Sequence, residues 1–126
     1  MKHFLLIAFL AFSGALFAQD TKTADPVEFK AMTYSFGKVP QGKPVTTEFT
    51  FTNNSARPVI IETATAECGC TTPEYPKTPI MKGKEGTIKV TYNAANTGDF
   101  KKKVTVKFAN IPQPMILEID GTVTPK

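Results

Sequence analysis

Period-two alternation is the feature that most constrains this chain. Phe100, Lys102, Val104, Val106 and Phe108 fall on one side of a stretch whose other side is Lys101, Lys103, Thr105 and Lys107. A strand turns successive side chains to opposite faces, so this spacing fits a half-buried strand and not a helix. The pattern recurs along the chain. Val27, Phe29 and Ala31 alternate with Glu28 and Lys30, and Tyr34-Ser35-Phe36 alternates after them. Val45, Thr47, Phe49 and Phe51 alternate with Thr46, Glu48 and Thr50, and Ile88, Val90 and Tyr92 with Thr87, Lys89 and Thr91. Val59-Ile60-Ile61 is an unbroken apolar run and predicts a strand buried on both faces. Met115, Leu117, Ile119 and Val123 predict the closing strand.

Turn residues separate these runs. They are residues 37–44 with two glycines and two prolines, Asn53-Asn54-Ser55, Gly83-Lys84-Glu85-Gly86, Asn96-Thr97-Gly98-Asp99 and residues 110–114. Residues 67–84 carry Pro73, Pro76 and Pro79 without alternation. They predict an irregular connection, because proline cannot donate to a central ladder. Consecutive short strands joined by turns, about seven in all, predict an all-β fold: an immunoglobulin-like antiparallel β-sandwich. Its expected core includes Phe49, Phe51, Ile61, Ile88, Val90, Val104, Val106, Leu117 and Ile119.

The N-terminus reads as an export signal. Lys2 and His3 precede residues 4–17, which are apolar except for Ser13 and Gly14 and too short to span a bilayer. The expected organisation is a signal peptide over residues 1–18, a flexible lead-in over 19–26 and one domain over 27–126. Cleavage follows Ala18, with Ala15 as the alternative site. The mature chain is then periplasmic or secreted, with no stable membrane insertion. The chain has one histidine, His3, and no tryptophan. Once the signal leaves, no imidazole remains for a Ser-His-Asp or Cys-His nucleophile, or for a zinc or copper site built on histidine. No enzyme and no cofactor are expected. The formal net charge is +4, and the lysine run 101–103 reads as a strand start whose charges reach solvent. Nucleic acid is not an expected partner; an unidentified protein is.

The chemistry that remains is concentrated in Cys68-Gly69-Cys70, which holds both cysteines of the chain. Export favours their oxidation, and Gly69 allows a positive φ that would help close so small a ring. A disulfide here closes almost no loop and therefore stabilises little. Three readings stand open: a local structural pair, thiol-disulfide exchange, and a soft-metal site. In the last, Cys68 and Cys70 would hold Cu(I) with Met81 as a third ligand. Glu67 and Glu74 are acidic neighbours that oppose thiolate formation, and Lys77 is a nearby cation in sequence. Tyr75, set among prolines, is a candidate partner-binding residue. The alternative is a loop ring packed on the sandwich.

These residues also carry a resemblance. Phe36-Gly37-Lys38-Val39-Pro40-Gln41-Gly42, Phe49-Thr50-Phe51-Thr52-Asn53, Cys68-Gly69-Cys70-Thr71, Pro73-Glu74-Tyr75-Pro76, Gly86-Thr87-Ile88-Lys89-Val90 and Gly121-Thr122-Val123 follow one another in a fixed order. In order and spacing the chain resembles bacterial domain-of-unknown-function family 1573, marked by a Cys-Gly-Cys-Thr signature. Met81-Lys82 before Gly83 departs from it, where a proline-glycine turn is expected. The resemblance implies an exported immunoglobulin-like module similar to domains of ciliary and sperm cytoskeletal proteins. It implies no activity and no ligand.

Overall fold

The alternating runs become strands in the computed structural model, which describes residues 25–126. The expected signal peptide, and the lead-in up to residue 24, lie outside the described residues. Eight strands follow in chain order: β1 (Val27–Phe29), β2 (Thr33–Pro40), β3 (Val45–Asn53), β4 (Ile61–Ala66), β5 (Thr71–Glu74), β6 (Glu85–Tyr92), β7 (Gly98–Phe108) and β8 (Met115–Thr124). They form two four-stranded sheets, β1-β3-β6-β5 and β2-β8-β7-β4. The fold is the all-β sandwich that the turn spacing implies. All nine expected core residues are buried between the sheets, with Phe51, Ile88, Val90, Val106 and Leu117 at 0% exposure.

Four local expectations change. Residues 67–84 are not wholly irregular, because β5 lies within them as an edge strand on β6. Asn93 donates to the Cys70 carbonyl at 2.9 Å. By the alternation of an antiparallel ladder, Pro73, paired with Val90, then turns its nitrogen to the free edge and forfeits no hydrogen bond. Residues 37–44 are not all turn either. β2 runs on to Pro40 through a register shift between Ser35 and Lys38, where Gly37 takes φ 71°. The run Val59-Ile60-Ile61 alternates, with Val59 and Ile61 inward and Ile60 40% exposed, since this side of the sheet faces solvent. Finally, β2 pairs with β8 in parallel. β1 and β2 belong to different sheets, so no hairpin fixes the direction of β2.

Two phenylalanine-glycine pairs lock the central ladders. Phe51 on β3 stands opposite Gly86 on β6, and Phe100 on β7 stands opposite Gly121 on β8. A Cβ on Gly86 would overlap the Phe51 ring, and one on Gly121 would come within 2.8 Å of the Phe100 ring. Each ring lies across the bare backbone of its neighbour and joins an aromatic cluster. Phe51 lies 5.3 Å from Phe29 and 5.3 Å from Phe108, and Phe100 stacks on Tyr92 at 3.9 Å.

Asn53 ends β3 with a fully buried amide. It was legible only as part of a turn signal. Its Nδ2 donates to the carbonyls of Arg57 at 2.8 Å and Ile80 at 2.9 Å. Its Oδ1 accepts from the Ser55 N–H and hydroxyl at 2.9 and 2.7 Å. These bonds tie the loop after β3 to the Val59–Ile80 bridge.

Two stability outcomes are expected in urea unfolding. Asn53→Ala removes four side-chain hydrogen bonds and lowers stability by about 2–4 kcal/mol. Gly86→Ala crowds a ring that cannot retreat and costs about 1–3 kcal/mol.

Candidate functional site

β4 carries small inward side chains, Ala64 and Ala66, opposite Val106 and Val104 of β7. The ladder ends one residue later. Glu67 N–H bonds the Lys103 carbonyl at 3.3 Å, while the Glu67 carboxylate, in place of its own carbonyl, accepts the Lys103 N–H at 3.1 Å. There the chain leaves sheet β2-β8-β7-β4, turns through Cys68-Gly69-Cys70 and enters β5 of the other sheet. The cysteine motif is the corner that joins the two layers at one side of the sandwich.

Cys68 and Cys70 are bonded to each other, with their Cα atoms 5.3 Å apart. Both are half-buried, and Cys70 packs against the core. Thr71 is buried at 4% exposure, and its hydroxyl lies 3.8 Å from the Cys68 Sγ and 3.6 Å from the Cys70 Sγ. Gly69 departs from expectation, because it is not among the residues at positive φ. It is exposed, and a Cβ there would meet nothing within 4 Å. Neither backbone conformation nor packing calls for glycine at this position.

The other candidate residues are not gathered here. Met81 follows the Val59–Ile80 bridge and opens the turn into Glu85, the first residue of β6, whereas Thr71 pairs with Tyr92, the last. β6 has eight residues, and at about 3.3 Å per residue it puts Met81 about 20 Å from the cysteines. Met81 is therefore not a third ligand to this pair. Among the described residues, no three or more His, Cys, Asp or Glu side chains come together to hold a metal ion. Lys77 is not at the pair either. Its ammonium sits 3.7 Å from the centroid of the Tyr75 ring, which is half-buried and packed on the core. Glu67 is engaged with Lys103, and Glu74 lies 4.0 Å from Lys89.

Lys102 was read as one of three solvent-facing lysines. Lys101 and Lys103 are exposed, but Lys102 is half-buried between the inward residues Phe100 and Val104. The alternation in sequence already put Lys102 on the apolar side, and that was the available signal. Thr71 carried none, because a buried threonine looks like any strand threonine.

No curated protein sequence matches the chain. Many solved structures are similar to it, among them the following three. A protein of unknown function from Porphyromonas gingivalis W83 gives a TM-score of 0.67 at 10% identity, covering 82% of this chain and 51% of that one. PapD-like domain 7 of human CEP192, an ASH domain, gives 0.66 at 10% identity, covering 100% and 98%. The VesB protease of Vibrio cholerae gives 0.63 at 15% identity, covering 78% and 32%. The chain thus spans about half of the Porphyromonas protein and a third of the protease. Likeness at such identities shows the fold alone. A family model described as a protein of unknown function, DUF1573, matches residues 27–123.

A disulfide spanning so short a loop contributes about 1–2 kcal/mol by chain entropy. Reduction should leave a cooperatively folded domain with a melting temperature about 5–15 °C lower, measurable by circular dichroism with and without reductant.

Proposed function

Since the chain belongs to the DUF1573 family of proteins of unknown function, we propose that it is an exported, non-enzymatic binding module. It takes up an extended segment of a partner protein along the free edge of β2. The observation that carries this reading is an exposed aromatic ring on a long, singly paired edge strand. β2 has eight residues and closes one end of its sheet. The Glu118 N–H bonds the Met32 carbonyl at 2.9 Å. Strand alternation then turns the backbone groups of Thr33 and Ser35 away from β8.

The far half of the strand is blunted by the bulge at Gly37, by Lys38 and by Pro40, which are common guards of an edge. The near half, from Thr33 to Phe36, has no such guard. Tyr34 is 45% exposed and packs edge-on against Phe36 at 4.9 Å. Phe36 in turn lies 6.3 Å from Phe100 in the core. An added strand would find open main-chain groups beside a ring shelf that is already held in place, which lowers the ordering cost of binding. The other edges offer less. β1 has three residues, and β5 has four including Pro73. β4 is bulged and bridged by Glu62 to Lys107 at 2.7 Å.

A photo-crosslinking side chain at position 34, in protein made by the exporting cell, should yield a discrete protein adduct. Ser35→Pro should abolish that adduct without unfolding the domain, because the lost N–H faces the free edge. An adduct from position 75 and none from 34 would move the contact to the loop after β5 and overturn the edge reading. Robust turnover on a substrate panel, abolished by one point mutation, would overturn the non-enzymatic reading.

A further inference from the structure

The corner at Cys68-Gly69-Cys70 has parts that the fold does not use. Its disulfide closes the shortest kind of loop, where chain entropy gains least, and its glycine meets no conformational or packing demand. A buried hydroxyl stands near both sulfurs. We propose that this corner is a thiol-disulfide exchange site that passes its disulfide to a dithiol on another protein, with Thr71 as a positioning residue and Gly69 as the clearance for the partner.

The step balances as follows. A thiolate of the partner attacks the Cys68 Sγ, since Cys70 is the sulfur packed on the core. A bond forms between the partner sulfur and Cys68, the Cys68–Cys70 bond breaks, and Cys70 leaves as a thiolate. The Thr71 hydroxyl, 3.6 Å from that sulfur, is placed to donate to the new anion. The partner's second thiolate then attacks its own sulfur in the mixed disulfide and releases Cys68. Cys68 and Cys70 gain two electrons and take up two protons. The partner dithiol loses both and becomes a disulfide.

Gly69 explains why the partner is a protein. A small thiol needs no cleared backbone, whereas a second polypeptide must bring its own main chain against this turn. An exposed glycine with open space around it leaves that approach free.

The test uses the oxidised protein with two probes, reduced thioredoxin and dithiothreitol, and follows exchange by alkylation and intact mass. Wild type should exchange with both. Thr71→Val should slow both reactions by about tenfold, as expected for losing one hydrogen bond to a charged group, and Thr71→Ser should restore them. Gly69→Val should slow thioredoxin by about tenfold while leaving dithiothreitol within about twofold. Melting temperatures of the oxidised variants check that the fold is kept. The proposal is overturned if thioredoxin leaves the wild-type disulfide intact. It is equally overturned if folded Thr71→Val exchanges at the wild-type rate, or if Gly69→Val slows both probes alike.

Discussion

The sandwich depends on two places where a phenylalanine ring lies over the bare backbone of a neighbouring strand. Phe51 covers Gly86 in one sheet, and Phe100 covers Gly121 in the other. Each pair sits in the central ladder of its sheet, β3–β6 or β7–β8. A slip of one residue would drive a ring into a side chain and turn the inward row outward. The constraint therefore fixes register and face together. It also seats the two aromatic clusters, Phe29-Phe51-Phe108 and Tyr92-Phe100-Phe36-Tyr34. The second cluster reaches the rim at Tyr34, so the ring proposed to meet a partner is anchored through the same contact that sets the core.

The connections between the layers differ in how they are held. Around Asn53 the chain uses a fully satisfied buried amide that bonds two backbone carbonyls and the N–H and hydroxyl of Ser55, a rigid solution. At the corner from β4 to β5 it uses a covalent bond across one residue, with a threonine hydroxyl near both sulfurs. The first device is structural throughout. The second stabilises less than a disulfide closing a longer loop would and leaves its outer side open, which suits a site whose bond is made to be exchanged.

The edges divide the work in a similar way. β5 carries Pro73 with its nitrogen outward, and β4 carries a bulge and an ion pair, so both resist pairing with another chain. β2 is guarded over only half its length. Its open half lies beside exposed Tyr34, whereas Tyr75 has Lys77 above its ring.

The sequence by itself determined the fold class, the nine core residues, and the fact that both cysteines share one local motif. Period-two alternation and turn chemistry are local signals, and each strand carries them whether or not its neighbours are known. It also showed Lys102 on the apolar side of its strand, though the lysine run around it suggested solvent. Only the tertiary structure decided the rest. It put Met81 and Cys70 near opposite ends of β6, turned the nitrogen of Pro73 outward within a strand, made Asn53 a buried hub, and set the Thr71 hydroxyl near both sulfurs. These facts follow from which strand lies beside which and in what register. That is settled by packing between residues far apart in the chain, where no local pattern reaches.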